Sequence, residues 1–426
     1  MVLVIRSPDC GERQGSDVMN LDVGIKRLMV LFVFILPWLA GCWDSNDLES
    51  RANVLALAID EPTAKDLEEG EDEISHLQEG IFAPPEEDMI RVTAQVAVPG
   101  EISLGPPQGG ANEAEPVWSL NVLAHSLEDA ISNLQQEIAE ELFLGQLRVV
   151  VINEDVAKNG VDGFNESLRR NAEIRRNAWM VVSQDEASPF MDVSPQLEQV
   201  PTLYLSDMVE NAVDEGTFPD DFLGLFWRMI SSKGQDGYLP YLTLKTNEHF
   251  QLSGLAYFKG DQMLDTIEPA EIGTFMGIIG FDPGGYQFYS SIPDTDTPVL
   301  LDTIGRETNI NTTINDGKPC VSLDIRYDLL IQELTEGSGN LQDPQVIERL
   351  EKQTRKENIE GAEQLIADMQ EEKSDIFGFG EFIRAKHPGY WNEEIGTAER
   401  WRDVFQAMDV NVDVTTHIHR IGTQAT

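Results

Sequence analysis

The residue with the clearest chemistry is Cys42, which ends the tetrapeptide Leu-Ala-Gly-Cys at residues 39–42. This ending matches the bacterial lipobox, in which the cysteine thiol receives a diacylglycerol and becomes the new N-terminus. Lys26 and Arg27 precede an apolar run, Leu28 to Trp38, that is too short to cross a bilayer. Basic residues, an apolar run and small residues in this order predict a secretory signal that is cleaved before Cys42.

The first 18 residues are polar and partly acidic, which is unusual in front of a signal peptide. We expect that translation begins at Met19 or that these residues are removed, so residues 1–41 are treated as a leader. A buried hydrophobic helix with a chance cysteine is the alternative. It is disfavoured because a core helix seldom carries all its charge at one end.

A search for catalytic and metal-binding patterns predicts no catalytic residues, no metal site and no cofactor. GxSxG, HExxH, CxxC and Walker-loop patterns are all absent. The stretch Gly378 to Ile383 starts like a dinucleotide fingerprint but lacks its third glycine. His417 and His419 would share one face of a strand, yet no nearby cysteine or histidine completes a ligand set.

Three cysteines are present, and only one of them is expected to remain a free thiol in the mature protein. Cys10 is lost with the leader and Cys42 carries the lipid, so no intrachain disulfide is possible. Cys320 leads into a strand, where a half-buried structural thiol is expected rather than a catalytic one.

The net charge of −45 is the most unusual number in the composition, whereas 41% hydrophobic and 25% charged residues are typical of globular proteins. Such acidity argues against binding to nucleic acid and against adhesion to anionic lipid. It is consistent with an exported protein in salt or divalent cations. Acidic residues are densest in residues 60–89, which we interpret as a solvated loop because the EF-hand pattern is absent.

Hydrophobic periodicity in the first half predicts strands and helices in alternation. Ser126 and Asp129 form a capping-box pattern at the start of a helix. The predicted strands cover Asn53 to Asp60, Ile90 to Val98, Leu147 to Ile152 and Ala178 to Val182. This order predicts a layered α/β unit with right-handed crossovers wherever the strands are parallel.

The second half predicts a hairpin with its turn at residues 259–261, a half-buried strand after Cys320, a long helix from about Asp343 to Glu372 and a final strand through Ile418. We place domain boundaries so that an N-terminal domain covers 42–204, a middle domain 205–305 and a C-terminal domain 306–426. The predicted fold class is α+β, or mixed α/β, with three domains that each have a mixed β-sheet packed by helices.

Aromatic residues crowd the segment from Phe377 to Phe405, and we favour a domain core there over an exposed partner-binding patch. The members are Phe377, Phe379, Phe382, Tyr390, Trp391, Trp401 and Phe405.

This aromatic segment and the region around Cys42 resemble the Ger(x)C family, the C subunits of spore germinant receptors. "DIFGFGEFIRAKHPGYWNEE" and "RWRDVFQAMDVNVDVTTHIHRIG" are similar to its C-terminal signature, and "GCWD" before a strand ending in Asp is similar to its start. One departure is Gln146, where the family usually has His. The matching C-terminal positions are Gln370, Asp375, Phe377, Gly378, Gly380, Glu381, Pro388, Trp391, Trp401 and Phe405.

The resemblance implies a lipoprotein on the outer face of the inner spore membrane, with three mixed α/β domains and no enzymatic activity. Its implied partners are the A subunit and the polytopic, transporter-like B subunit of the receptor, together with the membrane through the diacylglycerol on Cys42. Two other hypotheses remain. A lipid-anchored solute-binding protein of a transporter would usually show two similar lobes, and an anchored hydrolase would need a catalytic motif.

Overall fold

The computed structural model describes residues 51–70, 89–99, 116–193, 197–246, 249–282, 284–293, 297–334 and 343–419. The predicted leader, Cys42 and most of the acidic segment lie outside these residues, and what was predicted for them stays a prediction. Among the described residues, no helix is long and apolar enough to cross a membrane.

A nine-stranded mixed sheet occupies the first two thirds of the described chain. Its strands are β1 (Ala52–Asp60), β2 (Ile90–Ala97), β3 (Val117–Ala124), β4 (Leu142–Phe143), β5 (Val149–Asn153), β6 (Trp179–Ser183), β7 (Tyr238–Thr246), β8 (His249–Lys259) and β9 (Gln262–Ile267). The spatial order is β3-β2-β1-β5-β6-β7-β8-β9, with β4 beside β1. Strands β1, β5, β6 and β7 run parallel to one another, and the pairs on either side of them are antiparallel.

Helices cover both faces of this sheet, which explains why β5 is apolar at every position but its last. The helices are α1 (Ala64–Gly70), α2 (Leu127–Glu137), α3 (Glu154–Asn159), α4 (Asp162–Arg170), α5 (Pro201–Asp214) and α6 (Leu223–Ile230). Val150 and Ile152 belong to the core that includes α2 and α4, whereas Val149 and Val151 join the core under α5. A central parallel strand buried on both faces has this composition.

The C-terminal part builds a four-stranded sheet against one long helix. Its strands are β10 (Gln287–Ile292), β11 (Thr297–Asn315), β12 (Lys318–Leu334) and β13 (Asp409–His419), and only the β12–β13 pair is parallel. The helices are α7 (Pro269–Ile279), α8 (Pro344–Glu372), α9 (Phe379–Lys386), α10 (Pro388–Tyr390), which continues as a π-helical turn to Ile395, and α11 (Ala398–Gln406). Helix α8 packs across β10 and β13.

The alternating pattern of β12 is confirmed, because the side chain at every second position from Val321 to Ile331 is buried. The α+β class with mixed sheets is confirmed, as are the hairpin turn between β8 and β9, the extent of α8 and the final strand. Ser126 caps α2 as predicted by accepting from Asp129 N at 3.2 Å. The Asp129 carboxylate, however, accepts from His125 N rather than from Ser126 N.

Several strands were not predicted, among them β3, β10 and β11, and one predicted loop is partly helical. Strands β3, β10 and β11 do not alternate cleanly, because large apolar side chains are exposed on them and, in β10 and β11, polar ones are buried. The exposed ones are Trp118, Tyr289 and Ile304, and the buried ones are Ser290, Thr303 and Arg306. The acidic segment after Asp60 begins with helix α1 because Thr63 and Asp66 cap it reciprocally. The large sheet continues across residue 204, and the predicted three-domain division stays a prediction.

Asp221, just before α6, is a buried carboxyl group without a hydrogen-bond partner in the described chain. Its side chain is fully buried, and neither carboxyl oxygen has a hydrogen-bond partner among the described residues. Burial raises the pKa of this carboxyl well above 3.8, and the nearby Asp220 raises it too, while Arg228 lowers it. Asp221 is therefore neutral in the folded protein at a pH where an unfolded chain would ionise it.

We predict that Asp221→Asn stabilises the protein increasingly as pH rises above about 4, the usual pKa of an aspartate. In wild type, the unfolded state loses its proton first, so the free energy of unfolding falls by about 1.4 kcal/mol per pH unit until the folded group also ionises. Asparagine removes this dependence. Denaturant unfolding at several pH values measures it, with the exposed Glu210→Gln as the control. A constant difference between Asp221→Asn and wild type across this range would contradict the prediction.

Candidate functional site at the buried aspartate junction

The segment after α8 turns sharply because two positions adopt left-handed backbone conformations. Lys373 ends α8 at φ 58°, and Gly378 precedes α9 at φ 75°, which only glycine adopts without strain. Gly380 is needed for a different reason, since a Cβ there would lie 2.6 Å from the Gly234 Cα atom. The two glycines allow the chain to fold back onto the loop before β7.

Asp375 lies inside this turn and is fully buried. Its Oδ1 accepts hydrogen bonds from Gly378 N at 2.9 Å and Phe379 N at 3.2 Å. Its Oδ2 accepts from Gly380 N and Trp401 Nε1, each at 2.9 Å. Three of these donors are backbone N–H groups at the start of α9, which have no partner within the helix. The carboxylate therefore caps α9 and holds the α11 tryptophan against it.

The pKa of Asp375 is raised from 3.8 to about 7, chiefly because burial penalises the charged form and also because Asp236 lies nearby. Hydrogen bonds from Gly380, Phe379 and Trp401 act in the opposite direction. Burial therefore opposes the ionised form of Asp375, whereas the four N–H donors around its oxygens favour that form.

Asp236 faces Asp375 from the loop before β7 and is also buried. Two hydrogen bonds join these residues. Asp236 N donates to the backbone oxygen of Asp375 at 2.9 Å, and Asp375 N donates to the side-chain Oδ2 of Asp236 at 3.2 Å. Asp236 Oδ1 also accepts from Gly260 N at 2.8 Å and from Arg402 Nη2 at 2.6 Å. One carboxylate therefore connects the β8–β9 turn, the post-α8 turn and α11.

Side chains on either side of this pair extend the same connection. Ser374 Oγ donates to Phe258 O at 2.6 Å, and Glu381 accepts from Gly234 N at 3.1 Å and from Ser232 Oγ. Gln370 on α8 donates to the carbonyls of Phe405 and Met408 at 2.9 and 2.7 Å. We call Asp236, Asp375, Glu381, Trp401 and Arg402 the aspartate junction.

The aromatic segment surrounds the junction and is mainly core, as predicted. Phe377, Phe379, Trp391, Trp401 and Phe405 are buried, with neighbouring ring centroids 5.2 to 6.4 Å apart. The exceptions are Phe382, which is 37% exposed, and Tyr390, which is half-buried. Because the Asp236 and Asp375 carboxylates are buried and fully engaged in hydrogen bonds, this arrangement positions chain segments.

The predicted site residues are spread over the chain rather than brought together. Cys42, the predicted lipidation site, lies outside the described residues. His417 and His419 lie on the exposed face of β13, with ring centroids 4.5 Å apart. Among the described residues, no group of three or more histidine, cysteine, aspartate or glutamate side chains could hold a metal ion. Cys320 is half-buried in β12, where its Sγ accepts from Asn411 Nδ2 at 3.4 Å.

Sequence analysis named Asp375, Glu381 and Trp401 but missed the other two members of the junction, Asp236 and Arg402. Asp236 stands in "GQDGY", which is typical of a turn, and Arg402 stands among exposed charges on a short helix. The one local feature that could have drawn attention to Asp236 was its place in an Asp-Gly pair directly before an apolar strand. Their contact joins positions 166 residues apart, which local patterns do not reveal.

Family models match the chain on both sides of the junction. One, described as the spore germination protein N-terminal domain, matches residues 44–244, and another, described as spore germination B3/GerAC-like, C-terminal, matches residues 253–422. Asp236 falls within the first match, and Asp375, Glu381, Trp401 and Arg402 fall within the second.

Individual relatives agree with the family models. Spore germination protein GerQC of Bacillus cereus is 24% identical over 342 residues, which cover 79% of this chain and 92% of the relative. Spore germination protein KC of Bacillus subtilis (strain 168) is 24% identical over 426 residues, covering 93% and 95%. The crystal structure of the GerBC protein has a TM-score of 0.51 at 18% identity, covering 78% of this chain and 94% of that one, and it supports the fold.

We predict that Asp375→Asn lowers the free energy of unfolding by on the order of 3 kcal/mol, because the amide nitrogen would face two N–H donors and leave them unsatisfied. The exposed Asp403→Asn, which removes an ion pair with Lys373, is the matched control and should change stability by less than about 1 kcal/mol. Denaturant unfolding measures both. Equal effects of the two substitutions would show that the four hydrogen bonds at Asp375 do not hold the junction.

Proposed function

Because this chain belongs to the spore germination family whose N-terminal and GerAC-like C-terminal models it matches, we propose that it is the lipid-anchored C subunit of a spore germinant receptor. The observation that carries the proposal is the pair of matches, which together span residues 44–244 and 253–422. Curated relatives with spore germination names are covered over nearly their whole length. The A and B subunits of the receptor are its proposed partners.

The proposed anchor is diacylglycerol on Cys42, on the outer face of the inner spore membrane. Two acyl chains give the stable attachment that a single chain cannot sustain. Only nine residues, Trp43 to Arg51, separate Cys42 from β1, so the span is at most about 35 Å even if fully extended. Anchoring would keep the folded part close to the membrane and raise its effective concentration beside membrane partners.

The proposed role within the receptor is assembly or signalling rather than catalysis. The two aspartates of the junction are buried, and their contacts connect segments that the two family models cover separately. A rigid connection of this kind suits a subunit that holds a fixed surface toward its partners. It also means that damage at the junction would act through the whole folded chain.

We predict that spores lacking this gene lose dipicolinate release in response to nutrients but keep the response to dodecylamine, which does not require a nutrient receptor. Release is followed by terbium fluorescence, and reintroduction of the intact gene is the control. Loss of both responses would indicate a defect downstream of any receptor. An unchanged nutrient response, in a strain without other receptors of this family, would overturn the proposal and favour the transport hypothesis.

For the anchor, we predict that intact-mass analysis of membrane-extracted protein finds the leader absent and a diacylglycerol on Cys42. The Cys42→Ala variant should keep its leader and carry no lipid, because the thiol is the acceptor. A matched Cys320→Ala variant should be processed like wild type. Wild-type protein with an unmodified Cys42 would refute the anchor while leaving the family membership intact.

A further inference from the structure

Four of the few arginines in this acidic chain lie within residues 167–178, a segment that has only one acidic residue. The whole chain, by contrast, has 30 basic against 75 acidic residues. A fifth arginine, Arg148, lies beside this segment, because its backbone oxygen accepts from Trp179 N at 2.8 Å. We call these five exposed residues the arginine patch: Arg148, Arg169, Arg170, Arg175 and Arg176.

The arginine patch lies at one end of the large sheet. The parallel strands β5 and β6 begin directly after Arg148 and shortly after Arg176. Helix α4 belongs to the connection between these strands, so it runs back along the sheet and its C-terminal turn, with Arg169 and Arg170, returns to the same end. Strand β1 is parallel to β5 and also begins there, at Ala52. The chain therefore enters the folded part at the end that carries the arginine patch.

Most of these guanidinium groups are not engaged within the protein. Among the described residues, the side chains of Arg148, Arg175 and Arg176 make no hydrogen bond or ion pair. Arg169 Nη1 donates to Ser231 Oγ at 3.0 Å, and Arg170 pairs with a glutamate one helical turn earlier. Three exposed cations are thus left to interact with a partner outside this chain.

The acidic residues at the same end are fewer and partly engaged. Glu166 pairs with Arg170, and Glu173 accepts from Leu144 N at 3.0 Å. Glu140 and Glu141 precede β4, beside the start of β1. The unpaired arginines lie away from β4, before β5 and β6, so the positive charge is concentrated on that side of the β1 start.

The opposite end of the same strands is acidic. Strand β5 is followed by Glu154 and Asp155, and β6 by Asp185 and Glu186. From Arg148 to Glu154 the chain advances about 20 Å, at about 3.3 Å per residue, whereas salt screens charges over about 8 Å at physiological ionic strength. The net charge of −45 therefore does not prevent an anionic surface from approaching the arginine patch.

An exposed tryptophan lies at this end too. Trp118 on β3 is 49% exposed and lies opposite Val96 of β2, which in turn lies opposite Val54 near the start of β1. Tryptophan is enriched where a membrane meets water, since its ring is apolar and its N–H is polar. Arginine binds phosphate oxygens through two parallel N–H groups. Both residue types therefore suit a phospholipid surface.

We propose that the arginine patch and Trp118 bind anionic phospholipid head groups, so that the end of the sheet where β1 begins faces the membrane. This inference rests on the proposed attachment of the chain to a membrane before β1, and the link of at most about 35 Å from Cys42 allows the contact. Each arginine near an anionic surface strengthens attraction about fivefold. The acidic end of β5 and β6 then faces away from the membrane.

Energy transfer from the full chain to a lipid-borne acceptor in vesicles tests this orientation. A fluorescent amino acid replaces either Asn177, beside the patch, or Gln184, at the other end of β6; both are exposed. In vesicles of phosphatidylcholine with about 30% phosphatidylglycerol, transfer from position 177 should exceed transfer from position 184 about twofold, and about 0.5 M NaCl should reduce this difference. Vesicles of phosphatidylcholine alone should show a much smaller difference.

A triple variant tests the arginines directly, and its three changes are Arg148→Gln, Arg175→Gln and Arg176→Gln. It should lose the dependence of transfer on phosphatidylglycerol, and it should unfold at the wild-type denaturant concentration because these side chains are exposed. The matched control replaces three exposed cations of α8 and should keep the dependence. Its changes are Arg349→Gln, Lys352→Gln and Lys356→Gln.

Equal transfer from the two positions, transfer that ignores phosphatidylglycerol, or a triple variant that behaves like wild type would overturn the proposal. So would a triple variant that loses the nutrient response of spores while its transfer is unchanged, since the arginines would then contact a protein. The proposed function fails separately. A chain that keeps its leader is still attached before β1, and a dependence on phosphatidylglycerol in spores with an unchanged nutrient response would support the membrane contact alone.

Discussion

The Asp375 carboxylate is the interaction on which the C-terminal half of the structure depends. Burying a carboxyl group is unfavourable unless its oxygens are bonded, and here four N–H donors supply those bonds. Three of the donors belong to the start of α9 and would be unsatisfied without it. The fourth, Trp401 Nε1, fixes α11. One side chain therefore sets the positions of two helices, and the aromatic rings fill the space that this arrangement leaves.

The same constraint explains the sequence around Asp375. Gly378 must adopt φ 75° so that the following N–H groups point back at the carboxylate, and Gly380 must lack a side chain because the Gly234 backbone lies against it. Asp236 then satisfies the backbone N–H of Asp375 and binds Arg402. The segment "DIFGFGE" therefore forms one packed turn in this chain, and its residues support the fold.

Periodicity was sufficient to predict the elements whose two faces differ strongly in polarity. Strand β12, the hairpin between β8 and β9, and helix α8 were predicted closely because burial repeats every two residues or about every 3.6. Strands β3 and β10 were missed because one face is open and carries residues such as Trp118 and Tyr289. Asp375 was singled out only by resemblance. Its partner Asp236 is 139 residues away, and no local pattern encodes a contact of that separation.

The scarcity of cations gives each buried arginine a specific place in the fold. The chain has 30 lysines and arginines against 75 acidic residues, so most acidic groups must remain in water, where salt screens their repulsion. Arg402 neutralises Asp236 at the junction, and Arg91 lies among Asp60, Asp66 and Glu186. Arg306 instead donates to the carbonyls of Phe281 and Gly216, and burial without a carboxylate partner lowers its pKa. In a chain this acidic, the positions of the few buried cations, more than the number of acids, define where segments are held together.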